Sequence, residues 1–444
     1  LPVGKDAILQ LFRCFVRKEL EGLPDTLPLW YEEWAKTTHF DQTRIAALRK
    51  ADASNGEGAP PLREAGKLKT FVKSEEYPKW KEARLINPRY DNVMVFLAKF
   101  FKSVEQVVYD HPFGLNHCPF IKHVPVPERP ALVADLDKLR QVGGHIYETD
   151  FTAFESHFVP EFYEICECQL YRHCGMHWGF SDHVCDILKG KNRLKTHFGQ
   201  QFEISGRRMS GDACTSLGNG FTNLMITKFL ISIKGGHYDG YVEGDDGIFF
   251  SSVELTSQDY LDLGFTCKIV EHETATRASF CGIVCSDSLQ IIRNPRRFVS
   301  KFGWTNSFVN AGPKIKSQLL RAKALSAIYE APSCPIVSVL ARQALRKTRH
   351  VLPRFISDGY HDACPLRDES SLSPFAPTNA TRELFFELYG LSPATQLFLE
   401  DCIRNDDLTT VGNVLAMPVG KDLSLGHHSS LDMQLYVGNY IEIK

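Results

Sequence analysis

The sequence predicts an α+β protein with a sheet platform in its middle and a helical C-terminal third. Three observations carry this. Two apolar, strand-like runs flank a Gly-Asp-Asp-Gly turn in "GYVEGDDGIFF" (240–250). Helical and strand-like stretches are mixed on both sides of that hairpin. From about residue 290 onward, apolar residues recur mostly at helical spacing.

Along the chain, "RIAALRKADA" (44–53) is helical in pattern, and the Gly and Pro of "SNGEGAPPLREAG" (54–66) mark a loop. "FVKSEEYPKWKEARLINPR" (71–89) alternates Lys73, Lys79, Lys81, Arg84 and Arg89 with apolar residues, which suits a strand or ribbon with several cations on one side. "ALVADLDKLRQVGG" (131–144) places Leu132, Val133, Leu136 and Leu139 on one helical face, and Gly143-Gly144 stops it. A strand "HIYETDF" follows. Pro160 then opens a helix with Phe162, Ile165 and Cys166 on one side. A long helix is predicted over about 215–234, ending at Gly235-Gly236. After the hairpin come a short helix "SQDYLDLG" and a strand "FTCKIV". "KIKSQLLRAKALSAIYE" and "PIVSVLARQALRK" continue as helices, and Ser392-Pro393 is a cap and first turn for "ATQLFLEDCI".

A chain of 444 residues is two to three domains or one multi-lobed enzyme, and 43% hydrophobic with 23% charged content is ordinary for a folded globular protein. The longest apolar run, "VMVFLAKFF" (93–101), carries a lysine and is about half the ~20 residues a membrane span needs. There is no signal-peptide pattern, and the leading Leu reads as a piece of a larger precursor. Thirteen scattered cysteines without a CxxC pair read as a reduced, intracellular protein. "PVGKD" occurs at 2–6 and 418–422 without a phosphate-loop context, and reads as chance. Net charge is −2, yet residues 291–350 hold twelve Lys and Arg against Glu330 alone, a balance of +11. Such a run is either a solvated helical face or a surface for a polyanion.

Three constellations carry chemistry. Asp150 ends a predicted strand, Glu155 follows five residues later, and Asp245-Asp246 sit at the hairpin tip. If strand ends meet at one sheet edge, these carboxylates need cations, and hard oxygen ligands suit Mg²⁺ or Mn²⁺. Taken alone, the stretch is short enough to recur by chance, and Asp-Gly is a common turn. In "RMSGDACTSLGNGFTNLM" (208–225), Ser210-Gly211 is a flexible turn, and Thr215 and Asn219 lie one helical turn apart. They can grip a sugar hydroxyl or simply start a helix. The cations of 71–89 suit phosphate oxygens, or guard an edge strand.

In this order the three constellations resemble the RNA-dependent RNA polymerases of positive-strand RNA viruses, tombusvirus-like and nodavirus-like branches. A fingers motif matches Lys73, Glu75, Lys81, Arg84, Ile86, Pro88 and Arg89. SGxxxTxxxN matches Ser210, Gly211, Thr215 and Asn219; GDD matches Gly244, Asp245 and Asp246; a later palm lysine matches Lys268; "SFCGIV" (279–284) resembles the primer-grip region. The first palm motif matches at Asp150 but has Glu155 where the family usually has Asp, which leaves the detail of sugar selection open.

The resemblance implies a right-hand polymerase fold: fingers over 1–145 and 161–204, palm over 146–160 and 205–289, helical thumb and tail over 290–444. It implies template-directed RNA synthesis by two-metal nucleotidyl transfer from NTPs to an RNA 3′-hydroxyl. Two Mg²⁺ (or Mn²⁺) ions would be held by Asp150, Asp245, Asp246 and the Phe151 carbonyl. Lys73, Lys81 and Arg84 would bind the triphosphate. Glu155, Thr215 and Asn219 would sense the 2′-hydroxyl. Ser210-Gly211 would flex as the template base enters, and Lys268 is a general acid for pyrophosphate or a surface lysine. Arg293, Arg296, Arg297, Lys301, Lys316 and Lys323 would grip the product duplex by its phosphates.

Implied partners are the RNA template and product duplex, NTPs, and viral or host replication-complex proteins. The implied location is the host cytoplasm, in a membrane-associated replication complex reached through a missing segment or a partner. The rival readings are a reverse transcriptase and an inactive RNA-binding scaffold. Separately, Cys166, Cys168, His173, Cys174 and His177 offer zinc donors at non-standard spacing, against the simpler reading of a packed helix.

Overall fold

The computed structural model describes residues 6–56, 58–73, 80, 82–141, 143–305, 307–355 and 376–417. The chain divides into two compact units: Leu1–His123 with Leu136–Ala275, and Val124–Asp135 with Thr276–Lys444. Both copies of "PVGKD" fall almost wholly outside the described residues.

The first unit contains two four-stranded sheets. Its strands are β1 (Lys67–Val72), β2 (Leu85–Ile86), β3 (His145–Phe151), β4 (Lys191–Thr196), β5 (Gln201–Ser205), β6 (Tyr238–Glu243), β7 (Asp246–Ser251) and β8 (Cys267–His272). One sheet has the order β2-β1-β4-β5 and the other β6-β7-β3-β8. The second is antiparallel throughout. On one face of β3 Tyr147, Thr149 and Phe151 are buried, while the other face runs from buried Ile146 to exposed Asp150 at the end of the strand. The outer edge of β6 is covered by the chain at Pro119–Ile121, whose Pro119 carbonyl accepts from Val242 N at 2.8 Å.

The expected ribbon at 71–89 is the pairing of β1 with β2, in the register Phe71↔Ile86 and Val72↔Leu85. Lys79 and Lys81 lie outside the described residues, as does Glu75.

The apolar run 93–101 belongs to the helix Asp91–Asp110, which buries Phe96, Phe100, Phe101, Val104 and Val108 in an aromatic-rich core. Among the described residues, no helix is long and apolar enough to cross a membrane. The helix Thr215–Ile233 is buried almost all round, including Leu217, Phe221, Leu224, Met225 and Phe229. Packing on several sides removes any amphipathic stripe, as a central helix requires.

The helix opened by Pro160 breaks at Cys166 (φ −119°, ψ −92°) and resumes as Glu167–Cys174. Its thiols are packing groups: Cys166, Cys168 and Cys174 are buried. Burial pushes the Cys174 thiol up to about 12, which disfavours the thiolate a metal needs. His173 Nε2 donates to Leu23 O at 2.6 Å, and His177 lies 3.6 Å from Asp25.

The second unit is mainly helical, with a small ladder of Val284–Cys285 against Ile291–Ile292. The helices Pro313–Glu330, Val337–Lys347 and Pro393–Arg404 bury Leu325, Ile328, Leu340, Leu345, Leu399 and Ile403 together. Ser392 caps the last of these, its side chain accepting from Thr395 N at 3.2 Å.

Part of the basic run is engaged within the second unit. Arg293 pairs with Glu330 at 2.6 Å, and Arg296 donates to the carbonyls of Leu415 and Tyr389, each at 2.9 Å. Arg321 is buried and donates to Leu345 O at 3.1 Å. Lys323 donates to the Lys301 carbonyl. Arg297, Lys314, Arg346, Lys347 and Arg349 are exposed, and Lys301 and Lys316 are half-buried.

Candidate active site

Asp245 shares a two-residue hairpin turn with Gly244, and Asp246 opens β7. Glu243 pairs with Asp246 across it, and Gly244 takes the first turn position at φ +61°, where a side chain would be strained. β7 pairs with β3 up to Gly247↔Thr149, so one further step sets Asp246 beside Asp150. On its other side Asp150 pairs directly with Lys268 of β8. Directly opposed residues share a face, so Asp246, Asp150 and Lys268 form a row across the end of the sheet. Glu148, two residues back on the same face, bonds His272 at 2.9 Å.

These groups feel each other's charge. Asp245 and Asp246 touch solvent, yet the protein packed around the turn removes much of their hydration. That desolvation raises the Asp245 carboxyl; Glu155 and Asp150 add repulsion, and Arg84 opposes it. Asp246 is pushed up to about 7, again by desolvation first, then by Asp245, Asp150, Glu243 and Glu148. The sequence thus places Asp150, Glu155, Asp245 and Arg84 far apart, and the fold brings their charges together.

A raised carboxyl holds its proton more tightly folded than unfolded. In metal-free protein its stabilising effect is therefore full below the ordinary carboxylate range and is lost as pH rises toward about 7. Thermal melts of wild type against Asp246→Asn are expected to show the variant gaining relative stability from pH 5 to 7.5. A difference that does not change with pH would contradict the origin assigned to the shift.

The turn has a clamp that lies outside the SGxxxTxxxN and GDD motifs. Asn223 Nδ2 faces the carbonyls of Gly244 (3.3 Å), Asp245 (3.2 Å) and Asp246 (3.2 Å). Behind it, Thr227 Oγ1 lies 3.5 Å from Asn223 Oδ1 and 3.2 Å from the Tyr260 hydroxyl. The available signal was spacing: Asn223 is four residues beyond Asn219, on the same helical face. Gly247 allows the close approach, since a Cβ there would lie 2.7 Å from Thr149 Oγ1 and 3.3 Å from Asn223 Nδ2. Asn223→Ala frees the turn without touching a carboxylate. It is expected to lower turnover ~10- to 100-fold, as for groups that orient ligands, with substrate affinity little changed; unaltered turnover would remove Asn223 from the positioning role.

Asn219 is buried, and its Oδ1 has no hydrogen-bond partner among the described residues. A buried orphan acceptor costs about 1–3 kcal/mol and suits an incoming donor. Thr215 starts the helix, and its hydroxyl donates to Asp212 O at 2.8 Å. The turn before it docks on the ribbon: Asn87 N donates to Ser210 O at 2.7 Å, and Gly211 has φ +110°. Arg89, expected among the phosphate-facing cations, is instead buried in a two-bond pair with Asp212 at 2.7 and 3.0 Å and donates to Ala65 O. Its role here is to lock the ribbon to the Ser210-Gly211 turn.

Glu155 lies half-buried in a short 3₁₀ helix, Phe154–His157, entered through Ala153 at φ 50°. Phe151 is buried at the end of β3. Lys73 is half-buried, and its backbone N–H donates to Arg84 O at 2.8 Å, placing it beside Arg84. Lys81 is outside the described residues.

Deeper in the unit, Arg208 and Glu167 form a fully buried ion pair. Glu167 also accepts from Tyr171 (2.8 Å) and Thr222 (3.0 Å), and the Arg208 guanidinium lies 4.5 Å from the Phe158 ring centroid. This pair ties the helix Glu167–Cys174, the Ser210 turn and the helix Thr215–Ile233 into one block.

Among the described residues, no three His, Cys, Asp or Glu side chains are drawn closely enough together to hold a metal ion. The donor chemistry around the turn nonetheless fits a hard divalent cation: Asp150, Asp245 and Asp246 offer carboxylate oxygens, and their mutual repulsion is what such a cation relieves. The Cys and His residues of 166–177 form no such group either.

A family model described as viral RNA dependent RNA polymerase matches residues 166–409. The chain is 25% identical to an RNA-directed RNA polymerase of Turnip crinkle virus over 295 residues, 61% of this chain and 37% of that protein. It is 28% identical to that of Striped jack nervous necrosis virus over 276 residues, 58% of this chain and 26% of the relative. It is 23% identical to that of Carnation mottle virus over 390 residues, 78% of this chain and 47% of the relative. The chain thus spans from about a quarter to about half of the length of these relatives.

Proposed function

The chain belongs to the viral RNA-dependent RNA polymerase family, and from that premise we propose that it synthesises RNA on an RNA template from nucleoside triphosphates. The observation that carries the reading is the convergence of Asp150, Asp245 and Asp246 at one end of β3 and β7, with Arg84 acting on Asp245 and Lys268 paired to Asp150.

In this reading the first unit holds most of the fingers and palm, and the second holds the thumb together with residues 124–135 of the fingers and 276–289 of the palm. Asp150, Asp245 and Asp246 would hold divalent cations, which supply activation of the 3′-hydroxyl and charge neutralisation of the leaving pyrophosphate. Arg84, with Lys73 and Lys81, orients the triphosphate. Lys268, exposed beside Asp150, is available to give a proton to pyrophosphate as the phosphoanhydride bond breaks. Asn219 offers its unsatisfied Oδ1 to a substrate hydroxyl. A ribose 2′-hydroxyl meets that need and a deoxyribose does not, so the site prefers NTP to dNTP. Glu155 assists from the 3₁₀ helix. Asn223 holds the turn, and the buried Arg208–Glu167 pair holds the block behind it.

Extension of a defined RNA template with Mg²⁺, with and without primer and with NTPs or dNTPs, tests the proposal. Incorporation of NTPs on RNA supports it. Preference for dNTPs would favour a reverse transcriptase, and absence of incorporation a scaffold. Asn219→Ala, which removes the acceptor, is expected to lower the NTP/dNTP incorporation ratio at least ~10-fold, about 1.4 kcal/mol of discrimination; an unchanged ratio would take sugar sensing away from Asn219.

A further inference from the structure

A cavity of about 320 Å³ opens in the first unit between the helix Asp6–Glu19 and the paired helices Pro160–Ile165 and Glu167–Cys174. None of its lining residues is among those around the paired aspartates. Arg13, Arg17 and Leu20 line one side; Glu164, Arg172 and His173 line the other. Arg13 and Arg17 are four residues apart, so their guanidinium groups share one face and repel each other. Neither has an ion-pair partner among the described residues, whereas the wall acid opposite is fully engaged. Glu164 bonds Arg172 through both carboxylate oxygens and Lys189 at 2.7 Å. Those bonds, Arg172 first, hold its carboxyl at about 2, so it stays ionised and compensated.

The backbone of this wall is fixed. Gln169 Nε2 donates to Arg13 O at 3.1 Å, tying one helix to the other across the cavity. His173 is held by its bond to Leu23 O at 2.6 Å. The simplest alternative is two solvated arginines, one of them favoured by its place in the last helical turn. That accounts for Arg17 but not for Arg13 one turn earlier, nor for a tethered cavity between them and a neutralised wall.

We propose that this cavity binds a compact polyphosphate anion, with the Arg13 and Arg17 guanidinium groups as its recognition elements. The fork geometry of arginine matches phosphate oxygens, and the volume is at the lower end of ligand-sized pockets. Free pyrophosphate and the tail of a nucleoside triphosphate share this chemistry. The inference stands independently of the polymerase reading, because it uses none of the residues assigned to catalysis.

The test is binding of pyrophosphate and of ATP to the full chain in EDTA, where the carboxylate site has no cation to recruit phosphate. Equilibrium dialysis and thermal melts serve as readouts. Saturating pyrophosphate is expected to raise the unfolding midpoint by about 2 °C or more. Arg13→Ala/Arg17→Ala is expected to weaken binding at least ~10-fold while leaving the ligand-free midpoint nearly unchanged, since these are surface changes. Arg13→Lys/Arg17→Lys should fall in between, keeping charge without the fork. Equal affinity for pyrophosphate and ATP assigns recognition to the phosphates; tighter ATP binding lost in the same variants extends the site to a nucleotide. No binding by wild type at millimolar pyrophosphate, or affinity in the double alanine variant within twofold of wild type, overturns the proposal. Should the double variant fold poorly, Arg17→Gln alone is expected to weaken binding about threefold, and no loss there has the same meaning.

Discussion

Asp245→Ala is expected to lower RNA extension at least ~10³-fold, with template binding little changed. Asp245 sits in the turn between β6 and β7, and its carboxyl is influenced at once by Glu155, Asp150 and Arg84. A side chain coupled to all three is at the centre of the charge cluster. Removing it deletes an anionic ligand from the place where cations would stabilise developing charge, an effect worth several kcal/mol, and each 1.36 kcal/mol is tenfold in rate. The backbone should tolerate the change, because Asn223 clamps the turn through carbonyls and not through the Asp245 side chain. Single-turnover extension on a homopolymer template measures the effect. Turnover within tenfold of wild type would mean that the carboxylates are not the catalytic centre.

Arg208→Met is expected to destabilise the first unit by about 3–5 kcal/mol, the range for breaking a buried pair and stranding one charge. Glu167 would keep its bonds to Tyr171 and Thr222 but lose its cation at a site closed to bulk solvent. The double variant Arg208→Met/Glu167→Leu should recover much of the loss, since an apolar replacement of both partners leaves no buried charge. Gly218 belongs to the same argument: a Cβ there would lie 2.4 Å from Glu167 Oε2 and 2.6 Å from an Arg208 nitrogen, so the glycine is required by the pair. Denaturant melts of the single and double variants decide the matter, and a single-variant loss below 1 kcal/mol would show that the pair is dispensable. Arg208 lies two residues before Ser210, so its loss should also loosen the turn that the ribbon docks on through Asn87.

Much of the hairpin and its surroundings was legible because the pattern is local. β3 coincides with the predicted "HIYETDF", β6 and β7 flank the expected turn, and the helix Thr215–Ile233 ends one residue from its predicted limit. The mixed α+β class followed from the same signals. The helices Asp6–Glu19 and Tyr31–Lys36 were not anticipated, and Asn379–Tyr389 and Leu408–Ala416 were covered only by the expectation of a helical C-terminal third. The two short ones, of 6 and 9 residues, are too brief for periodicity to register.

Contacts between distant segments were illegible in principle. Arg89 looks like any other cation of 71–89, and only Asp212, 123 residues away, gives it a buried partner. Arg293 and Arg296 likewise looked like part of one positive face, but Glu330 and the Tyr389 and Leu415 carbonyls engage them within the second unit. The candidate site was legible as residue types in order. The coupling among Asp150, Asp245 and Asp246 required the strand register. Asn223 was visible only as a spacing, and its importance depends on three carbonyls that no sequence pattern specifies.

The claim on which the account turns is that the carboxylates at the end of β3 and β7 jointly hold divalent cations. Titration of the chain with Mn²⁺ in the presence of RNA and a non-hydrolysable NTP, followed by electron paramagnetic resonance, tests it directly. Two tightly held ions per chain are predicted for the wild type, with both weakened when either Asp150 or Asp245 is replaced by alanine. Full, unweakened Mn²⁺ binding in both variants, or none in the wild type, would contradict it.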